Sequence, residues 1–188
     1  HFREQLNPEE LADMACQIEI DRLREPIGKQ DQYIAATGGI TCFTFCKNDK
    51  VIAEPLKIKS DTLYDLEDNL LLYFTGFARK AGDILRDQNE KSQIKDTSML
   101  DNLHYTKDLG YRSRDALLTG DTQLFGQLMH EHWLHKKSRS GGMTNTDIDA
   151  WYELGLKNGA IGGKLVGAGG GGFLMFMSQD RKKLRLAM

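Results

Sequence analysis

The first candidate for chemistry is an acidic residue with an amide side chain on each side. Asp31 lies between Gln30 and Gln32 and follows Gly28-Lys29. An isolated aspartate after a glycine is often a turn or cap residue, and that alternative stays open here. The flanking amides, however, can hold the carboxylate in one rotamer or bind the hydroxyls of a sugar. The segment therefore favours an acid that orients a hydroxyl group.

A run of glycines near the end of the sequence is the second candidate. Residues 167–172 read Gly-Ala-Gly-Gly-Gly-Gly, and each glycine loses backbone entropy on folding. A hairpin turn alone does not require so many, so close approach of another backbone or of a ligand explains the run better. Bare amides together with a carboxylate such as Asp31 indicate work on a phosphate, which is the chemistry of a small-molecule kinase.

Two phosphate-binding motifs do not fit the glycine run. Residues 167–172 satisfy G-x-G-x-x-G formally, but a dinucleotide-binding motif opens a helix, whereas the strand-like segment 173–177 follows here. Lys164 precedes the glycines instead of following them, so the run is not a P-loop. Both of these nucleotide-binding classes are therefore disfavoured.

The histidine-rich segment 130–135 resembles a zinc site but lacks the required spacing. A zincin helix requires a second histidine one turn after His130, and Leu134 occupies that position. The segment therefore favours a solvated, partly amphipathic helix. The nearby basic residues are predicted to be surface charges that become anion partners only beside a phosphate; they are Lys136, Lys137, Arg139 and Lys164.

The composition is that of an ordinary globular chain. The 188 residues are 40% hydrophobic and 28% charged, with a formal net charge of −2, which gives no reason to expect nucleic acid or a membrane surface as a partner. The three cysteines lack the spacing of a disulfide framework or a zinc finger, so we expect buried, reduced thiols in a cytoplasmic protein.

The order of predicted elements is strands, then helices, then strands, which indicates an α+β fold. A capped helix begins at Asn7-Pro8 with an apolar face formed by Leu11, Met14, Ala15 and Ile18, and a hairpin over 38–53 follows. The remaining predicted elements are a strand at 69–74, helices at 77–90, 93–108, 111–118, 121–136 and 146–157, strands at 161–166 and 173–177, and a basic helix from 180. Asp121 and Asn145 or Thr146 are predicted N-caps, and Gly159 is a predicted helix stop.

Two segments resemble the motifs of a known superfamily. Residues 28–33 with Gly38-Gly39 are similar to the catalytic-aspartate segment of the GHMP kinases, which include galactokinase, homoserine kinase and mevalonate kinase. Residues 164–173 resemble the third, C-terminal motif of that superfamily. Residues 74–76, 143–145 and 158–160 look most like the branch that phosphorylates D-glycero-D-manno-heptose 7-phosphate. The resemblance covers nearly the whole chain.

The resemblance implies a GHMP-kinase-like α+β fold and ATP-dependent phosphorylation of a sugar hydroxyl, most simply the anomeric one of a heptose 7-phosphate, for nucleotide-activated heptose synthesis. It implies that Asp31 is the catalytic residue and that Glu19, twelve residues earlier, holds Mg²⁺, although a plain solvated charge is the alternative for Glu19. The implied sugar contacts are Lys29, Gln30, Gln32, Gly38, Gly39, Thr75, Arg79, Gly169, Gly170 and Gly171, and the implied ATP contacts are Lys164, Gly167 and Ala168.

One departure from the family pattern limits these expectations. The family's ATP phosphates bind a Pro-x-x-x-Gly-Leu-x-Ser-Ser loop at a helix N-terminus, and this sequence contains no such segment. We therefore expect residues 1–60 to be the remnant of a GHMP N-terminal domain, 61–188 to be the C-terminal domain, and the fragment alone to be inactive. Sheet edges exposed by such losses could promote association into a homodimer. The alternatives are a non-catalytic sugar- or nucleotide-sensing module and a kinase for galactose or fucose.

Overall fold

The boundaries of the elements come from a computed structural model that describes residues 6–77, 81–94, 97–139 and 142–188, without the side chains of 81–83. Two units are separated by their contacts, one ending at Lys57 (unit 1) and one beginning at Ile58 (unit 2). Unit 1 contains α1 (Pro8–Cys16), a π-helical continuation (Gln17–Arg22), α2 (Gln30–Thr37), β1 (Thr41–Phe45) and β2 (Val51–Pro55). Unit 2 contains α3 (Ser60–Asn69), β3 (Leu70–Phe74), α4 (Ala81–Gln93), α5 (Thr97–Thr119), α6 (Thr122–Lys137), α7 (Thr146–Lys157), β4 (Ala160–Leu165), β5 (Phe173–Ser178) and α8 (Arg181–Ala187).

Helix α1 begins as predicted but buries a different face. The Asn7 side chain accepts from the Glu10 amide at 2.9 Å, and the Glu10 carboxylate accepts from the Asn7 amide at 2.9 Å, which is a capping box. The predicted apolar face is wrong: Leu11, Met14 and Ile18 are exposed. The buried residues are instead Ala12 and Cys16, because their small side chains pack directly against Tyr33 and Val51 in the core of unit 1.

Helix α2 was not predicted, and it changes the setting of Asp31. The aspartate lies in the first turn of α2, where the helix dipole favours a negative charge. The helix ends at Gly38, whose φ of 69° is one that side chains other than glycine rarely adopt. The predicted hairpin follows, with β1 and β2 antiparallel and Phe43 paired with Ala53.

The sheet of unit 2 has the strand order β3-β5-β4, and every pair is antiparallel. The glycine run connects β4 to β5, as predicted. Helices α6, α7 and α8 each contribute residues to the core that they form with β4 and β5. The core there consists of Trp133, Ile148, Tyr152, Leu165, Leu174, Phe176 and Leu184, all at most 1% exposed.

Some predictions for the helices of unit 2 are confirmed and others are wrong. Asp121 and Asn145 are N-caps: their side-chain oxygens accept from the amides of Leu124 (2.8 Å) and Ile148 (2.9 Å). The two helices predicted for 93–118 are one helix, α5, which continues through Gly110. Burial of α5 against α6 outweighs the roughly 1 kcal/mol that a glycine costs inside a helix. Helix α3 was not predicted.

Cysteines and helix hydrophobicity give two further observations. All three cysteines are free, but only Cys16 is buried, so the expectation of three buried thiols is wrong for Cys42 and Cys46, which are partly exposed. Within the described parts of the chain, no helix is both long and apolar enough to span a bilayer.

A glycine contact brings α6 unusually close to β4. A Cβ atom added at Gly162 would lie 2.1 Å from the carbonyl oxygen of Gly126, a distance that two non-bonded atoms cannot adopt. At the opposing Gly126 an added Cβ would be tightly packed, 3.0 Å from Met177. The packing of helix against strand therefore requires glycine at position 162.

We predict that Gly162→Ala lowers the free energy of unfolding by about 2 kcal/mol or more, because the new methyl group forces backbone against backbone. The matched control is Gly110→Ala, which meets nothing within 4 Å and is expected to stabilise α5 by up to about 1 kcal/mol. Urea unfolding followed by circular dichroism measures both. Unchanged stability of Gly162→Ala would contradict the packing described here.

Candidate functional site

Unit 1 contains a cavity of about 410 Å³ with two acidic residues in its wall. The carboxylates are those of Glu19, on the π-helical continuation, and Asp31, in the first turn of α2. The rest of the lining consists of Leu11, Ala15, Ile27, Gln32, Ala35 and Ala36. The cavity therefore combines an apolar wall with two negative charges, and it is the place where predicted site residues of unit 1 come together.

Gln32 follows Asp31 in the sequence and forms a hydrogen bond with Glu19. Its side chain is buried, and its Nε2 donates a hydrogen bond to Glu19 Oε2 at 2.9 Å. One carboxylate oxygen of Glu19 is therefore fixed, and the carboxylate has a defined orientation. The Oε1 atom of Gln32 is buried and has no hydrogen-bond partner among the described residues. Glu19 is thus a positioned acid and not a plain solvated charge.

The two carboxylates of this cavity wall are of the ligand type that magnesium takes. No group of three histidine, cysteine or acidic side chains in the described part of the chain is arranged to hold a metal. Mg²⁺ usually keeps several waters and binds one or two carboxylates together with substrate phosphates. The oriented carboxylate of Glu19, with Asp31 in the same cavity wall, fits that requirement.

Two predicted sugar contacts next to Asp31 lie outside this cavity lining. Lys29 donates to the Asp49 carbonyl oxygen at 3.0 Å and lines a second cavity of unit 1, which also contains Asp13 and Asp21. Gln30 is exposed at the start of α2. Of the two amides that flank Asp31, the structure therefore brings only Gln32 to the acidic cavity.

Gly38 and Gly39 form the turn between α2 and β1. Both have positive φ, at 69° and 63°, and an added Cβ would meet no atom within 4 Å at either position. Backbone conformation therefore accounts for both glycines.

In unit 2, the glycine run is packed tightly against neighbouring backbone. The amides of Gly170 and Gly172 donate to the carbonyl oxygens of Met143 (2.8 Å) and Phe77 (2.9 Å). An added Cβ at Gly171 would lie 2.6 Å from the Phe77 carbonyl oxygen, and one at Gly169 would lie 2.9 Å from Met143 Sδ. Close approach of another segment, one of the two explanations offered by the sequence, therefore accounts for two of the glycines.

Other amides of the same run remain available. Those of Gly167, Ala168, Gly169 and Gly171 have no hydrogen-bond acceptor within the described ranges. Consecutive backbone amides of this kind form concave sites for anions. The run is thus both a packed turn and a set of donors.

Thr75 and Lys136 form hydrogen bonds with backbone carbonyl groups at the two ends of the glycine run. Thr75 is 3% exposed, and its hydroxyl and amide both donate to the Gly172 carbonyl oxygen, at 3.0 and 2.9 Å. The Lys136 ammonium donates to the carbonyl oxygens of Leu165, at 3.1 Å, and Gly167. Arg79 lies outside the described residues.

Lys136 is not the surface charge that the sequence indicated. It is 7% exposed, and burial lowers its pKa to about 7, with repulsion from Lys164 and Arg139 contributing further. Its position three residues after the fully buried Trp133 places both on one side of α6, and this spacing was a signal that the sequence offered. The predicted helix is present as part of α6, and its buried side includes Trp133 and Lys136 while Leu134 is exposed.

Comparison with known proteins identifies the family. Residues 113–188 match the family described as GHMP kinases C terminal. Residues 113–188 therefore form a GHMP kinase C-terminal domain. The D-glycero-alpha-D-manno-heptose 7-phosphate kinase of Campylobacter jejuni is 36% identical over 177 residues, which are 94% of this chain and 52% of that protein.

A solved structure and a second relative extend the comparison. The structure of a D-glycero-D-manno-heptose 1-phosphate kinase from Bacteroides thetaiotaomicron has a TM-score of 0.69 and 29% identity, covering 98% of this chain and 50% of that one. The bifunctional fucokinase/GDP-fucose pyrophosphorylase of Arabidopsis thaliana is 28% identical over 131 residues, which are 70% of this chain and 12% of that protein. The GHMP-kinase-like α+β fold is therefore confirmed. This chain spans about half the length of the Campylobacter relative.

Lys136 gives the GHMP kinase domain a pH-dependent contribution to stability. Its pKa is about 7 in the folded protein and near 10.4 in an unfolded chain, so between these values the unfolded state binds more protons. Stability must then rise with pH and be lost as the pH falls through about 7. From about pH 7 to about pH 8.5 we predict a rise of about 1.5 kcal/mol in the free energy of unfolding.

The measurement is urea unfolding across that pH range for the wild type and Lys136→Met. The variant is expected to lose most of the rise. Lys137→Met is the matched control because Lys137 is the next residue, is partly exposed and pairs with Asp149 at 3.3 Å; it is expected to keep the rise. Equal pH dependence in the wild type and Lys136→Met would show that Lys136 titrates normally.

Proposed function

We propose that the protein containing this chain is an ATP-dependent kinase that phosphorylates a hydroxyl group, the anomeric one, of a heptose 7-phosphate for nucleotide-activated heptose synthesis. The observation that carries the proposal is the cavity of unit 1, where Asp31 and an oriented Glu19 share one wall. The 36% identity to a heptose 7-phosphate kinase over 94% of the chain supports the choice of substrate.

Asp31 is the catalytic residue in this proposal. Its carboxylate accepts a hydrogen bond from the sugar hydroxyl and takes the proton as the hydroxyl oxygen attacks the γ-phosphorus of ATP. A new P–O bond forms to the sugar, the bond to the β,γ-bridging oxygen breaks, and ADP leaves. Gln32 contributes by holding Glu19, and it remains a proposed sugar contact on the resemblance.

Glu19 is the residue that would hold Mg²⁺. The ion, when bound, neutralises charge on the triphosphate during transfer. Glu19 contributes an oxygen ligand whose direction is set by the 2.9 Å hydrogen bond from Gln32. A carboxylate that is already oriented loses less side-chain entropy when it binds the ion.

The glycine run supplies backbone donors to the substrates. The available amides of Gly167 and Ala168, together with Lys164, are assigned to ATP, and the segment Gly169–Gly171 is assigned to the sugar. Thr75 acts through the run, because both of its donors already bind the Gly172 carbonyl oxygen. Lys29, Gln30, Gly38, Gly39 and Arg79 remain proposed sugar contacts on the resemblance alone.

The domain division and cellular setting are parts of the same proposal. Residues 1–60 are assigned to an N-terminal domain whose ATP loop the sequence does not contain, so the 188-residue chain by itself is expected to release no ADP. Three free thiols support a cytoplasmic location. Strand β3 is an edge strand of the described sheet, which supports association into a homodimer.

Fucose is the second candidate substrate. It is favoured by the 28% identity to the Arabidopsis fucokinase over 70% of this chain. Coupled assays of ADP release with heptose 7-phosphate, fucose and galactose, performed on the complete gene product that contains this chain, separate the candidates. Preference for heptose 7-phosphate by the ratio kcat/KM is the expected result, and preference for fucose would replace the first proposal.

The role of Asp31 is tested by Asp31→Asn in that complete protein. We predict a fall in kcat of about 10²-fold to 10⁴-fold with little change in the KM for ATP, because the amide cannot take the proton. Asp21→Asn is the matched control, since Asp21 is an exposed acid of the same unit that lines the other cavity. Full activity of Asp31→Asn with an unchanged circular dichroism spectrum would refute the assignment.

A different kinetic result is expected for Glu19→Gln. Removing one anionic ligand weakens magnesium binding, so the Mg²⁺ concentration for half-maximal activity should rise by about tenfold. Excess Mg²⁺ should restore part of the rate, whereas it should not restore Asp31→Asn. An unchanged Mg²⁺ dependence would remove Glu19 from the metal site.

A further inference from the structure

Unit 2 contains a cavity of about 250 Å³ in which polar groups gather at one place. It lies between α5, α6 and the β4-β5 strands. Its polar lining comes from Thr106 and Ser113 of α5, His132 of α6 and Lys164 of β4. The rest of the wall is mainly apolar, with Leu109, Phe125, Leu128, Met129 and Met175.

Three basic side chains lie around this cavity without a carboxylate partner among the described residues. Lys164 lines it, Arg139 contacts the lining residues Thr106 and His132, and Lys136 is close enough to affect the pKa of His132. Within the described ranges, none of the three has an acidic group within 4.0 Å, although Lys91, Arg112, Arg114, Lys137 and Arg181 of the same unit all do. These three basic groups are thus gathered around one cavity without a counter-charge from the described residues.

The hydrogen bonds of these cations leave the positive charge uncompensated. Arg139 Nε donates to Asn102 Oδ1 at 2.7 Å, and its terminal nitrogen donates to the Thr106 hydroxyl. Lys136 donates to two backbone carbonyl oxygens. Each of these acceptors is neutral, so no acceptor brings a negative charge to the cluster.

Lowered pKa values show that positive charge is unfavourable in this arrangement. Burial lowers the pKa of Lys164, and the charge of Arg139 lowers it further. Burial also lowers the pKa of His132, to about 3, with Lys164 and Arg139 adding to the effect, so this imidazole is neutral near pH 7. Buried like charges without a counter-ion are unfavourable, and a bound anion would relieve both the burial and the repulsion.

We propose that this cavity binds a phosphate monoester, with Lys164 and Arg139 as counter-charges and the hydroxyl of Ser113 as a further donor. The Thr106 hydroxyl already donates to the Asn102 carbonyl oxygen at 2.8 Å and holds Arg139 in place. A tetrahedral dianion matches two cations and several donors better than a carboxylate does. The apolar part of the wall leaves room for the carbon atoms attached to the phosphate. The site shares Lys164 with the ATP contacts proposed above, but it is argued from the charge distribution of unit 2 and stands whether or not that assignment holds.

Binding of inorganic phosphate to the 188-residue chain tests the site directly. Thermal unfolding at about pH 7.5, with sodium chloride at matched ionic strength as the salt control, should show a saturable rise in Tm with phosphate only. Isothermal titration calorimetry gives the affinity. Lys164→Met and Arg139→Gln should each weaken phosphate binding by about tenfold or more, since each removes a charge-assisted contact.

Two controls distinguish binding from a folding defect. Lys164→Met without phosphate should be at least as stable as the wild type, because an unpaired, partly buried charge has been removed. Lys137→Met removes a charge from the same end of α6 outside the cavity and should keep the phosphate response. An equal response in Lys164→Met, or an equal rise in Tm with chloride, would overturn the site.

Competition identifies the source of the phosphate group. Displacement by heptose 7-phosphate but not by unphosphorylated heptose supports a sugar phosphate as the ligand, and displacement by ADP alone supports a nucleotide. Both results uphold the phosphate site and are read without kinase turnover. Failure of both compounds to displace phosphate would mean an adventitious ion only, and the proposal would be wrong.

Discussion

The close contact between α6 and β4 is the constraint on which unit 2 depends. Gly126 and Gly162 let the two elements touch through their backbones, and this distance brings Lys136 within reach of the carbonyl oxygens of Leu165 and Gly167. A larger residue at Gly162 would push the helix away from the strand and draw the lysine away from the glycine run. The run is therefore shaped by a helix far from it in sequence as well as by its own glycines.

The candidate acid site of unit 1 also depends on small side chains where two helices meet. Ala12 and Cys16 let α1 approach α2 closely, and Tyr33 of α2 donates to Asp13 at 2.5 Å across the same interface. Because the π-helical continuation follows α1 directly, Glu19 comes within hydrogen-bond distance of Gln32. The position of both acids is thus a consequence of helix packing, although neither acid belongs to the buried core.

Unit 2 keeps charges that a structure selected for stability alone would not keep. A lysine at 7% exposure with a pKa near 7, next to a lysine and an arginine whose pKa values are also lowered, is an unfavourable cluster. Replacing buried ionic groups by apolar ones of similar volume is often neutral or stabilising. The phosphate site proposed above would give these charges a role, because positive charge removed from water attracts a phosphate group more strongly than charge on the surface does.

Local patterns in the sequence were enough for the helix caps, the β1-β2 hairpin, the strands that flank the glycine run and the family. Capping groups and turn glycines act over three or four residues, so their signals survive without tertiary context. The tertiary structure decided which face of α1 is buried, that α5 continues through Gly110 and that Lys136 is buried. Each of these depends on which distant element packs against the residue. Burial against that element contributes more free energy than the roughly 1 kcal/mol that local propensity supplies.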